Sequence, residues 1–336
     1  MKPPLALLLF LNVLFLWQNC LVAEVKRYKA DVCVYGGTAS GVMAAVAAHK
    51  EGSKVILVEP TRSLGGMTGG GINNLDWGKG ETVGGSTYKI LMEGLKDQKR
   101  AHGGHAKHGI GNKQYRERFK KLVKDRGITV IYEHRVGKVQ VGDETFDKPT
   151  RQQPIAIGEK IASKNKNNSI QSIILDYAPV DETGCPIPEP KKRNVIMVSA
   201  KVFIDCSYEG DLLAMSGVRY TWGRESREHY DESLAGVRPS LWIHDIDPYV
   251  EPGNAESGLV PFVQDRKIGP LGSADSLTMG YCFRHEFDMS GKGIPIPEPT
   301  NYDPAEFEVY RRAIRDGVDI FSNRHMRTTL NKFTVH

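Results

Sequence analysis

The chain is 336 residues long, 40% hydrophobic and 25% charged, which excludes a wholly disordered or fibrous protein and suits one large domain or two. Lys and Arg number 45 against 40 Asp and Glu, a formal charge of +5 spread along the sequence. The basic clusters, Lys120–Lys121 and Lys191–Arg193, lack interleaved aromatics, so they read as solvated surface and no nucleic-acid partner is expected.

At the start, Lys2 precedes an apolar run from Leu5 to Leu11 and, after Asn12, the apolar VLFLW. This run is too short to span a bilayer and leads to Ala23, the pattern of a secretory signal peptide over residues 1–23. An uncleaved anchor is the alternative. No second apolar run has spanning length, so a secreted chain without stable membrane insertion is expected. Cys33, Cys185, Cys206 and Cys282 are too scattered for a disulfide scaffold, although a single bridge stays open. The acceptor Asn167-Asn168-Ser169 suits a surface loop.

From Asp31 the pattern is strand, glycine turn, helix, strand. DVCVY (31–35) is a short apolar run, VMAAVAAHKEG (42–52) an alanine-rich helix closing at Gly52, and KVILVE (54–59) a second buried strand. Strands buried on both faces and joined by a helix make a parallel βαβ unit. A segment from Gly65 to Gly85 follows, too polar and glycine-laden for regular structure. Then come a helix near Thr87–Lys99, a loop with His102, His105 and His108, and a charged helix near Lys113–Arg126. The glycine-rich frame of the three histidines sets no ligand geometry, so no metal site is assigned.

ITVIYEHRVGKVQV (128–141) reads as one strand opening an antiparallel excursion, and Gly142–Asn168 as an exposed insertion. SIQSIILDYAPV and NVIMVS form a hairpin around the proline-rich CPIPEPKKR. AKVFID (200–205) returns to buried-strand character. Beyond Gly217 the texture changes to more aromatics, Pro and Gly, marking a smaller substrate-facing region. A late helix opens there with Asp303 as cap, Pro304 in the first turn and Glu306 three residues after the cap; Phe307, Tyr310 and Ile314 share one face.

The stretch YGGTASG (35–41) poses the functional question. Set on G-x-G-x-x-G it places Gly36, Thr38 and Gly41, with Thr in the middle position, between a strand and a helix. In a dinucleotide site the first glycine makes the tight turn and the last lets the helix pack closely, leaving free amides at the helix N-terminus for a pyrophosphate. Glu59, about twenty residues on at the end of the second strand, suits the ribose hydroxyls. A structural turn that binds nothing is the bland alternative.

A second glycine cluster, SLGGMTGGG (63–71), has little use in a nicotinamide site and suits the longer body of a flavin. DVCVYGGTASG, VEPTRSLGGMTGGG and VFIDCSYEGDLLAMSGVRYTWGRES together resemble the FAD-dependent oxidoreductase family often labelled xanthan-lyase-like, of the glutathione-reductase structural type. The resemblance covers Asp31 to Gly236, then TMGYCFR and the late helix. It implies an α/β Rossmann-like FAD-binding three-layer fold over residues 24–216, with an antiparallel excursion, an insertion at about 142–168, and a partial substrate region over 217–336.

By the same resemblance FAD contacts fall at Gly36, Thr38, Ala39, Ser40, Glu59, Gly65, Gly66, Met67 and Thr68, with Gly37, Gly41 and Pro60 beside them. Val136 is added through its backbone at the adenine, and Cys206 as a weaker member. In the wider group the third block reads Asp-Ala-Thr-Gly, and here it is Asp205, Cys206, Ser207, Tyr208. Family members continue past position 336, so a C-terminally truncated chain is expected.

The activity implied is hydride transfer from an alcohol or sugar-like small molecule to the flavin. A noncatalytic flavin-binding remnant and a carbohydrate lyase are the alternatives. Catalytic residues are not assigned: His229, Tyr281, Arg284 and His285 fall in the substrate region but equally suit surface or structural roles. Cys33 reads as packing, and Cys206 as either packing or redox-active.

Overall fold

The computed structural model describes residues 25–70, 84–86, 90, 112–147, 169–182, 184–218, 220–238, 245–265, 268–277, 283–286, 295, 298, 300–317 and 332–335. The signal-like segment, His102, His105, His108, Tyr281, Cys282, the insertion from 148 to 168, and all but Ile90 of the helix expected at 87–99 lie outside the described residues. The chain divides into two compact units, one of Met1–Ile155 with Glu159–Tyr220 and one of Ala156–Gly158 with Thr221–His336.

In the first unit, β1 (Lys26–Lys29) is followed by β2 (Val32–Tyr35), α1 (Ala39–Lys50) and β3 (Val55–Glu59). β2 and β3 pair in parallel, Val32 opposite Val55 and Tyr35 opposite Val58. With β4 (Thr129–Tyr132) and β9 (Val202–Asp205) they form a parallel sheet in the order β4-β3-β2-β9. Because successive strand side chains point to opposite faces, Val32, Val34, Val55 and Leu57 pack on one side. Their partners there are Val42, Ala45 and Val46 of α1 and Tyr115, Phe119 and Val123 of α3 (Asn112–Lys124).

The other face, carrying Cys33, Tyr35, Ile56, Val58 and Ile131, meets a second, mixed sheet. That sheet runs β1-β8-β7-β5-β6, with β5 (His134–Val141), β6 (Glu144–Phe146), β7 (Ile170–Tyr177) and β8 (Lys192–Ser199). Helices, parallel sheet and mixed sheet make three layers of Rossmann-like α/β type. Leu57 and Val58 are wholly out of water, and burial of each such side chain contributes about 1.5–3 kcal/mol.

Four sequence expectations need correction. The segment from Gly65 is not wholly irregular, because Gly66–Gly70 is a helical turn, α2. The low helix propensity of glycine is overridden by anchoring: the Gly65 amide donates to Gly37 O at 2.8 Å and the Gly69 amide to Gly65 O at 3.1 Å. The run 128–141 is two strands in different sheets, broken at Glu133 with φ +58. Its amide donates to Thr61 O, and its carbonyl accepts from Ala178 N at 2.9 Å. The insertion opens with regular structure, since β6 pairs with β5. Lastly, β9 ends the parallel sheet's described order, so Val202 is exposed.

After α4 (Asp211–Met215), the last helix described in the first unit, the second unit holds α5 (Arg227–Tyr230), a 3-10 turn at Ala255–Ser257, the antiparallel pair β10 (Phe283–Glu286) and β11 (Lys332–Val335), and α6 (Glu308–Arg315). α6 is led by a 3-10 turn, Pro304–Phe307, whose cap is the one read from sequence: Asp303 Oδ1 accepts from Ala305 N at 2.8 Å. Phe307, Tyr310 and Ile314 remain 40–48% exposed. Among the described residues no helix is long and apolar enough to cross a membrane.

Candidate cofactor-binding site

The site begins where β2 ends. Gly36 turns the chain at φ +93, and a Cβ built there would lie 2.6 Å from Ser207 N. α1 starts two residues later with Thr38 as N-cap, its hydroxyl oxygen accepting from Gly41 N at 3.2 Å. Gly41 allows this turn to close, because a Cβ on it would overlap Gly36 O. The amides of Ala39 and Ser40 have no acceptor inside the helix and point out of its positive end.

Glu59 closes the mouth from β3. Its Oε2 accepts from Gly37 N at 2.6 Å and its Oε1 from Thr61 N at 2.7 Å. A carboxylate has about four acceptor sites, so capacity for two ribose hydroxyls remains. Burial raises its pKa against these bonds, and the charge of Glu209 adds to the rise.

The third block packs against the same turn. Cys206 N donates to Tyr35 O at 2.7 Å, and the Thr38 hydroxyl donates to Cys206 O at 2.8 Å. Asp205 Oδ1 accepts from Ser207 N and from its hydroxyl, and Oδ2 from Leu213 N at 2.8 Å. Tyr208 reaches the second glycine cluster, its phenol oxygen accepting from Met67 N at 2.9 Å.

These elements wall a cleft of about 880 Å³ within the first unit, inside the range of small-molecule sites. Of the residues named from sequence, Gly36, Thr38, Glu59, Pro60, Gly66 and Met67 line it. Gly37, Ser40, Gly41, Gly65 and Cys206 belong to the bonded frame of the mouth, Ala39 is the first residue of α1, and Thr68 lies in α2. Val136 is not brought to the cleft. It is buried with its amide donating to Tyr35 Oη at 3.3 Å, and its neighbour Arg135 lines the cleft instead. Ser207, Tyr208, Asp211 and Arg116 also line it, and the sequence assigned them no contact. Ser207, Tyr208 and Asp211 were signalled only by lying in the third block, and Arg116 by nothing in the sequence.

Burial raises the Cys206 pKa, opposed by a hydrogen bond with Ser40; a protonated thiol is a poor nucleophile. Cys33 is pushed up to about 12 by burial, as a packing residue would be. Asp211 is raised by burial first and then by Glu209 and Asp205. In the second unit, His229 lies edge-on to Tyr230 at 4.2 Å, and Arg284 and His285 sit on β10. No group of His, Cys, Asp and Glu among the described residues is arranged to hold a metal.

A family described as FAD dependent oxidoreductase matches residues 31–160 and 187–335. The chain belongs to this family. No curated protein matches it in sequence. Among solved structures, a geranylgeranyl bacteriochlorophyll reductase-like protein from Thermoplasma acidophilum is 15% identical, over 57% of this chain and 43% of that one, with TM-score 0.34. A flavocytochrome c3 fumarate reductase is 19% identical, over 57% and 36%, at 0.29. The bacillithiol disulfide reductase of Bacillus cereus is 14% identical, over 53% and 39%, at 0.29. The chain therefore spans less than half the length of these proteins.

The residues present fit the cofactor of the FAD dependent oxidoreductase family. A turn without a side chain at Gly36, the Thr38 cap that leaves the Ala39 and Ser40 amides free of the helix, and an acid with unused acceptor capacity meet at one cleft.

Proposed function

We propose that the first unit binds FAD and that the protein is a flavin oxidoreductase acting on a small molecule. The observation that carries this reading is the 2.6 Å bond from Gly37 N to Glu59, which ties the α1 N-terminus and the strand-end acid into one mouth. There the Ala39 and Ser40 amides bind the diphosphate, the helix dipole favours its charge, and Glu59 accepts from the adenosine ribose. The Thr38 cap and the Gly36 turn hold these amides in place. FAD, when bound, supplies a ring that takes up two electrons.

The substrate proposed is an alcohol or sugar-like compound giving up a hydride, and the site of action is outside the cell. The apolar run after Lys2 supports secretion, and the carbohydrate component rests on the sequence resemblance.

The test is the visible spectrum of the purified protein with added FAD, followed by anaerobic addition of candidate alcohols and sugars. Stoichiometric flavin that bleaches with one of them is expected. Protein that stays colourless overturns the FAD reading. Flavin that never bleaches points to a binding protein, and product formed without bleaching to a lyase.

A further inference from the structure

The turn that opens α2 makes a contact that diphosphate and ribose binding leave unused. Gly66 stands at φ +51, and a Cβ on it would overlap the Tyr208 phenol oxygen and come within 3.0 Å of the ring carbons Cε2 and Cζ. The same phenol accepts the Met67 amide at 2.9 Å. At its other end the turn is held by Gly65 N on Gly37 O at 2.8 Å, beside a parallel bridge of Thr38 with Gly65. Residues 65–67 are thus pinned from both sides, once by the first glycine motif and once by a residue 141 positions away.

Tyr208 is 56% exposed and belongs to neither buried core cluster. Packing therefore does not account for its place. It lines the cleft together with Gly66 and Met67, at the last of the three positions, 206 to 208, where this chain departs from the Asp-Ala-Thr-Gly pattern. A turn rich in glycine has more conformational freedom to lose than any other, and a site that is already ordered loses less of it on binding.

We infer that Tyr208 is a positioning residue for the cofactor, its ring and phenol holding the Gly65–Met67 turn in the shape it presents to the cleft. The inference rests on the FAD reading. Tyr208→Phe keeps the ring and removes the acceptor; Tyr208→Ala removes both. Apoprotein is titrated with FAD by flavin fluorescence, Met67 amide exchange is followed in the apoprotein, and Tm is recorded.

For Tyr208→Phe, FAD affinity should fall about 3- to 10-fold, the equivalent of one net hydrogen bond. Met67 exchange should quicken, with Tm at the wild-type value. Tyr208→Ala should bind more weakly still, and if it fails to fold the Phe variant decides alone. Unchanged FAD affinity in the Phe variant overturns the inference whatever its exchange rate. So does an affinity loss that comes with a lowered Tm or with unchanged Met67 exchange. Wild type that binds no FAD sinks the FAD reading and this inference together, and is told apart because the unmutated protein itself then fails to titrate.

Discussion

In the first unit β2 and β3 bury every residue they contain, whereas in the second the buried hydrophobics among the described residues are Val237, Val260 and Ala313. There Leu234, Phe262, Ile268 and Leu271 stand 60–76% exposed, and arginines do the fastening. Arg312 donates to the carbonyls of Asp247, Tyr249 and Val250 at 2.9, 2.6 and 3.1 Å. Arg224 forks onto Asp275 with Nε 3.1 Å from each carboxylate oxygen. The difference teaches that the cleft rests on apolar burial and close backbone packing, while the second unit takes its local shape from directional polar bonds that solvent weakens.

The largest expected effect probes the close packing. Gly41→Val, which drives a side chain into Gly36 O, should destabilise the first unit by about 3 kcal/mol or more and abolish FAD binding. Urea unfolding followed by first-unit probes checks it, and a variant that unfolds like wild type breaks the comparison from that side.

Arg312→Ala should cost about 2 kcal/mol in the second unit alone, since three carbonyls lose a charged donor. Limited proteolysis around Asp247–Val260 is the readout. Arg312→Lys should recover only part of the loss, because an ammonium cannot fork as a guanidinium does. Faster cleavage in the first unit as well would show that the two are not separately stabilised.

Glu59 sharpens the contrast through pH. Its folded pKa lies above the ordinary 4.5 because of burial. Protonated Glu59 therefore contributes stability that is complete below that ordinary value and is lost as pH rises through the folded one. Glu59→Gln should remove this loss, so stability relative to wild type moves in the variant's favour on going from about pH 4 to pH 7. Chemical denaturation across that range measures it; parallel curves would refute it.

The smallest effect is expected at Ile314, which is 48% exposed. Ile314→Ala should change stability by less than about 0.5 kcal/mol, read from the thermal midpoint. A larger loss would mean that the α6 face is covered in solution.

How much was legible follows from the range of the interactions. DVCV and KVILVE announced strands because burial on two faces leaves an uninterrupted apolar run, and Asp303 announced a helix start because capping is local. β1 did not announce itself: Lys26, Arg27 and Lys29 are polar, and the strand exists through its parallel pairing with β8. The break at Glu133 has no glycine to mark it; it forms because β4 and β5 join different sheets. Spacing alone named Gly36, Thr38 and Glu59, which line the cleft, whereas Val136 was named through the resemblance and spends its amide on a phenol 101 positions earlier.

By itself the sequence determined the parallel βαβ unit, its glycine turn and the acid at the end of β3, because strand burial, helix capping and short-range sterics act over a few neighbouring residues. Only the tertiary structure decided that Gly37 would bond Glu59, that the second glycine cluster would hang from the first, and that Tyr208 would hold Met67. Those contacts join segments distant in the chain, and they form only when the layers that carry them have packed.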